Sequence, residues 1–175
     1  TILPLGRYRL ALVANAPGKS IVIPETGETL ESLYLCLPHE KNTNQEASDI
    51  FTALQSVSIT ESKNTLPPIR LLPRTGALHF SLHEIPGEIS NLNLELSFVP
   101  SSVSFSGSTT NTFGTITKPV DPQGKATIRT FPTKKGEATL SITYDENNKS
   151  KRKIIPFPEA IDTNRTIHVD CNFPA

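Results

Sequence analysis

Residues 77–99 read ALHFSLHEIPGEISNLNLELSFV. Leu78, Phe80 and Leu82 alternate with His79, Ser81 and His83. Further on, Leu92, Leu94, Leu96 and Phe98 alternate with Asn93, Glu95 and Ser97. A period of two puts each apolar set on one face of a strand. Two strands are therefore predicted, over 77–83 and 89–99, each with one face buried. Pro86-Gly87 between them is a turn pair, so the two are expected to form an antiparallel hairpin.

The same alternation extends outward along the chain. Toward the N-terminus, Tyr8, Leu10 and Leu12 share a face. Ile21–Ile23 makes a short run stopped by Pro24, and Leu33–Leu37, with Tyr34 and Cys36, makes a third. Gln55–Thr60 and Ile69–Leu72 are strand-like. Toward the C-terminus, Val103 and Phe105 continue the pattern past Pro100. Ala126 and Ile128 follow an Asp121–Gly124 turn. Ala138, Leu140, Ile142 and Tyr144 lead into a turn at Asp145–Asn148 and a return over Lys151–Ile155. The last strand, 166–173, sets Ile167, Val169, Cys171 and Phe173 on one face. One segment, Asn44–Leu54, has helical spacing at Ile50, Phe51 and Leu54, with Asn44 or Ser48 as its cap. Such a short helix persists only if packed on a sheet. The expected fold is all-β: an antiparallel β-sandwich with Greek-key-like connections and one short helix. The small, polar stretch SGSTTNTFGT (106–115) is the candidate boundary. It divides a first sandwich domain, 1–106, from 107–175, which forms either a second small β domain or the completing strands of the same sandwich.

Composition and motifs bound the function. Lys plus Arg equals Asp plus Glu, which argues against a nucleic-acid partner. The basic run Lys149, Lys151, Arg152 and Lys153 suits a solvated strand edge. The 15 Pro residues suit sheet edges and loops and disfavour helix interiors. No apolar run approaches the ~18 residues of a transmembrane helix. There is no GxSxG, HExxH, CxxC or Gly-rich phosphate loop, and no carboxylate pair is marked for acid–base work. No catalytic residue, cofactor or metal is therefore expected, and the chain reads as non-enzymatic. His79 and His83 stand roughly 13 Å apart along a strand and cannot chelate one ion. His168 and Asp170 share a strand face and would need a cross-strand partner for even a weak metal site. Cys36 and Cys171 both sit in strand-like segments, as a disulfide if those strands are neighbours or else as two free thiols.

The order of segments carries a resemblance. A strand with Gly6, Tyr8, Ala14 and Asn15 is followed by a variable loop region and a short helix. Then comes an Arg-led strand, Leu72-Pro73-Arg74-Thr75-Gly76-Ala77, paired through a Pro-Gly turn with the Asn91–Leu96 segment, NLNLEL. Over residues 3–106 this resembles the FimB-like and FimA-like fimbrial proteins of Bacteroidales, the type V pilus subunits and anchors. Val13 stands where such proteins often carry Trp. The resemblance implies a transthyretin-like sandwich exported to the cell surface or outer membrane. There it would serve as a non-enzymatic fimbrial or cell-adhesion subunit, or as a pilus anchor. Its partners would be other fimbrial subunits or a host surface ligand. In that family, removal of an N-terminal strand opens a groove that another subunit's strand fills. The sequence starts without Met almost directly on the Arg7–Ala14 strand, so one or more strands are expected to precede it. Strand addition satisfies unpaired backbone groups and covers apolar side chains together. The candidate edge residues are Ile167, Val169, Cys171 and Phe173 on the last strand and Tyr8, Leu10 and Leu12 on the first. The alternative is a carbohydrate- or ligand-binding sandwich of a secreted or outer-membrane system. That function calls for exposed aromatics on one face, and three Tyr with no Trp count against it.

Overall fold

A computed structural model of the chain describes residues 4–40, 43–61 and 65–173. In chain order the strands are β1 (Gly6–Ala14), β2 (Ile21–Val22), β3 (Tyr34–Cys36), β4 (His39–Glu40), β5 (Thr43–Asn44), β6 (Phe51–Ile59), β7 (Leu72–Pro73) and β8 (Gly76–His83). They continue with β9 (Ile89–Pro100), β10 (Ser102–Ser104), β11 (Phe113–Pro119), β12 (Lys125–Thr130), β13 (Thr139–Glu146), β14 (Lys149–Ile155) and β15 (Thr166–Asn172). The only helical elements among the described residues are single 3-10 turns at Gly18–Ser20 and Leu30–Ser32.

The strands form four sheets, ordered β1-β6-β7, β10-β3-β2, β14-β13-β9-β11-β5-β4 and β12-β8-β15. Leu78, Phe80 and Leu82 of β8 and Leu94 and Leu96 of β9 meet in one core with Ile116, Ile128, Leu140 and Ile142. The expected hairpin between 77–83 and 89–99 is therefore absent: β8 and β9 lie in different sheets that share this core. Alternation requires only that each strand bury one face, and two packed sheets meet that requirement as well as a hairpin does. Glu84, at φ 56°, turns the chain out of β8. Strands on both sides of residue 106 share sheets, since β9 pairs with β11 and β13, and β8 with β12 and β15.

Three further expectations change. Pairing is not uniformly antiparallel: β15 runs parallel to β8, and β11 parallel to β5. The helix over Asn44–Leu54 does not form. Residues 45–50 run as irregular chain into β6, with Ala47 and Ile50 buried. The Ala47 amide donates to the Arg129 carbonyl (2.9 Å), and the Ile50 carbonyl accepts from the Arg74 amide (2.8 Å). Tertiary partners thus take the backbone groups that so short a helix would have had to pair internally. Finally, Phe98 faces solvent although its spacing predicts burial. It is 57% exposed, and Val99 is buried instead. The register steps from Gly114↔Val99 to Thr115↔Ser97, making Phe98 the extra residue of a β-bulge. In β1 the alternation is ambiguous because both faces carry apolar residues, Tyr8, Leu10 and Leu12 on one and Ala11 and Val13, beyond Arg7 and Arg9, on the other. Ala11 and Val13 pack against the core, and Leu12 is exposed.

Arg74 fastens the start of β8 to its surroundings. It is only 8% exposed. Its Nε donates to Thr52 Oγ1 (2.5 Å), and its Nη2 donates to the Phe105 carbonyl (2.8 Å), to which Thr52 Oγ1 also donates (3.0 Å). Burial pulls the guanidinium pKa down. At Gly107 (φ 101°), a Cβ would lie 2.6 Å from Arg74 Nη1, so only glycine lets the loop close over the cation. One side chain thereby ties together β6, the β7–β8 junction and the segment after β10. Arg74→Met should lower stability by about 1–3 kcal/mol through loss of these charge-assisted bonds. Urea unfolding followed by far-UV circular dichroism measures this, and an unchanged midpoint would refute the role.

Candidate functional site

β15 is the outermost strand of its sheet, with β8 on one side and no strand of the described residues on the other. Its register is Ile167↔Leu78, His168↔His79, Val169↔Phe80, Asp170↔Ser81 and Cys171↔Leu82. The Arg165 carbonyl accepts from the Ala77 amide (2.9 Å), and the Phe173 amide donates to the His83 carbonyl (2.8 Å). Successive residues of a strand turn their backbone groups to opposite sides. Odd-numbered residues of β15 therefore bond to β8. Thr166, His168, Asp170 and Asn172 turn their N–H and C=O groups to the open edge.

The side chains alternate in step. Ile167, Val169, Cys171 and Phe173 pack against the core, but each is only partly buried. Their neighbours Leu78, Phe80 and Leu82 on β8 are at most 2% exposed. Phe173 meets Tyr144 of β13 edge-on, with ring centroids 4.9 Å apart at 68°. Seven residues of open backbone edge thus run beside a half-covered apolar ladder.

Other outer strands differ. β14 carries Lys149, Lys151, Arg152 and Lys153, the type of charged edge that resists further pairing. Lys151 pairs with Glu146, and Arg152 with Glu95 at 3.5 Å. The outer side of β12 is met by the Ala47 amide. β1 pairs with β6 through nine residue pairs and is likewise outermost in its sheet. Its Tyr8 and Leu10 are half-buried and Leu12 is exposed, while the Tyr8 hydroxyl donates to the Pro4 carbonyl (2.7 Å). The two sets of edge residues therefore lie in separate sheets.

Cys36 on β3 and Cys171 on β15 also belong to separate sheets, and both are free thiols. Burial pushes both thiol pKa values up, and the charge of Asp170 pushes Cys171 further in the same direction. The cross-strand partner that His168 lacked in the sequence turns out to be His79, the two rings stacked 5.2 Å apart. Only the parallel register creates this pair, so no spacing in the sequence reveals it. His83 Nε2 lies 3.7 Å from Asp170 Oδ1. Among the described residues, no three His, Cys, Asp or Glu side chains converge as metal ligands, and no helix is long and apolar enough to cross a membrane.

Over residues 1–174 the sequence matches the family of fimbrillin-A associated anchor proteins Mfa1 and Mfa2. No curated protein matches it. Among solved structures it is similar to a candidate polysaccharide-binding protein of Bacteroides thetaiotaomicron: 18% identity, TM-score 0.62, covering 87% of this chain and 58% of that one. It is also similar to a candidate adhesin of Bacteroides ovatus, with 12% identity and a TM-score of 0.60 over 99% of this chain and 77% of that one. A third is the fimbrial anchor protein Mfa2 of Porphyromonas gingivalis, with 15% identity and a TM-score of 0.51 over 87% of this chain and 61% of that one. At these identities the likeness is one of fold.

The open edge makes two predictions. In hydrogen exchange by NMR, the amides of His168, Asp170 and Asn172 should exchange at least about tenfold faster than those of Val169 and Cys171. Uniform protection along β15 would contradict the assigned edge. Alkylation of Cys36 and Cys171 should be slow at neutral pH and rise through a midpoint above that of an unhindered cysteine, because only the thiolate reacts. Rapid labelling of both at pH 7 would contradict their burial.

Proposed function

The chain belongs to the family of fimbrillin-A associated anchor proteins, and from that membership we propose that it serves as a non-enzymatic fimbrial anchor or adhesion subunit at the cell surface, joined to other fimbrial subunits by strand addition at β15. The observation that carries this reading is the edge of β15, which no strand of the described residues pairs, above a half-covered apolar ladder. An incoming extended segment finds N–H and C=O groups at alternate residues and apolar side chains to cover between them. Completing the burial of a half-covered Ile, Val or Phe contributes roughly 1 kcal/mol each, about half the gain of full burial.

The same reading takes residues 1–106 and 107–175 as parts of one transthyretin-like sandwich. The supporting fact is that β8 and β9 each draw partners from the later part of the chain. It makes Tyr8, Leu10 and Leu12 of β1 a second edge, secondary because Leu12 stands exposed instead of covering the core.

The test exploits the alternation. Asp170→Pro removes an outward N–H and leaves the bonds to β8 in place. A capped seven-residue peptide of alternating Val and Thr should raise the melting temperature of the wild-type chain and slow exchange at His168, Asp170 and Asn172. The Asp170→Pro chain should fold within a few degrees of wild type and show neither the rise in melting temperature nor slowed exchange at His168 and Asn172, the two outward amides it retains. Equal responses in both chains, or none in wild type, would refute strand addition at β15.

A further inference from the structure

Phe98 is held in the left-handed backbone region, at φ 59°, where bulky side chains rarely stand. Strain of this kind persists only where the surroundings enforce it, and it marks functional positions. Here its effect is to aim an aromatic ring at solvent. The bulge turns Ser97 and Phe98 together onto the outer face of the six-stranded sheet, and Leu96 and Val99 on either side are fully buried. Phe113, opposite Pro100 at the start of β11, is 46% exposed on the same face.

Polar groups complete the surface. Thr115 Oγ1 donates to Ser97 Oγ (3.1 Å), and Arg152 Nη2 lies 3.5 Å from Glu95 Oε1. Arg152 Nε also donates to Ser141 Oγ (3.1 Å), which fixes the guanidinium plane on the sheet. Phe98, Phe113, Ser97, Thr115, Glu95 and Arg152 line one groove of about 320 Å³. That is near the lower end of small-molecule sites, which span roughly 300–1,000 Å³.

We propose that this groove binds a neutral glycan through a single pyranose ring. A pyranose has a face of C–H bonds that lies flat on an aromatic ring, and a rim of hydroxyls that both donate and accept. Glu95 supplies acceptors, Arg152 supplies donors, and the hydroxyls of Ser97 and Thr115 adapt to either. Glu95 and Arg152 neutralise one another, so nothing in the groove selects a charged sugar. A protein partner would need on the order of 1,000 Å² of matched surface, more than two rings around one ion pair provide. The site lies on a different sheet from β15, includes no residue of that strand, and is independent of strand addition there.

The experiment uses the full ¹⁵N-labelled chain with maltotriose, mannotriose, cellotriose and N,N′-diacetylchitobiose as probes. At least one should shift the amide signals of Phe98, Thr115 and Arg152. Phe113→Ala should weaken that binding at least tenfold, and so should Phe98→Asn. Asn tolerates the left-handed backbone, so Phe98→Asn should melt no lower than wild type, which separates loss of the ring from loss of the fold. No shift at these amides with any probe would overturn the proposal. So would either variant binding as tightly as wild type, or shifts confined to another face.

Discussion

β15 runs parallel along β8, and this pairing sets both the core beneath the strand and the edge it leaves open. It fills the second edge of β8, whose Leu78, Phe80 and Leu82 form the middle of the core. It commits the odd-numbered backbone groups of β15 inward and the even-numbered groups outward. It also lays Ile167, Val169, Cys171 and Phe173 over the core without enclosing them. The direction of β15 follows from the crossing before it. After β14 the chain crosses through Phe157 and Ile161, both buried, and is pinned by the Ile161 amide on Thr133 Oγ1 and the Asn164 amide on the Thr75 carbonyl. It therefore joins β8 from the end where β8 itself begins.

Edges of sheets invite further pairing unless they are blunted, and this chain treats its edges unequally. Lysines and an arginine line β14, and the segment before β6 touches β12. β15 carries far less protection: its alternate residues are apolar, and a single carboxylate, Asp170, stands among its outward residues Thr166, His168, Asp170 and Asn172. Membership of a fimbrial anchor family gives this asymmetry its context. The strained, solvent-facing Phe98 is a second departure from what folding alone favours, and it lies on a different sheet.

Much of this was legible in the sequence, and the misses have physical causes. The β13–β14 hairpin was plain because Leu140, Ile142 and Tyr144 alternate up to Asn147 and Asn148, both of which take the positive φ that a tight hairpin turn requires. The apolar face of β15 was legible for the same reason. Its partner and direction were not, because alternation fixes which face is buried and leaves pairing to the tertiary fold. That gap also hid the placement of β8 and β9 in different sheets and the His79–His168 pair. Ile50, Phe51 and Leu54 suggested a helix, yet Phe51 and Leu54 belong to β6, and residues 45–50 bridge β5 and β6 as irregular chain with Arg129 and Arg74 supplying backbone partners. Phe98 was misplaced because a single extra residue in a strand shifts every later side chain to the other face.

Strand addition is proposed at β15 and not at β1. The most direct measurement is an isotope-filtered NOESY spectrum of the labelled full chain bound to an unlabelled extended peptide. Strand addition at β15 predicts contacts from the peptide backbone to the amides of His168, Asp170 and Asn172, and from its side chains to Ile167, Val169 and Phe173. Contacts confined to Arg7–Val13 of β1, with β15 unaffected, would contradict it.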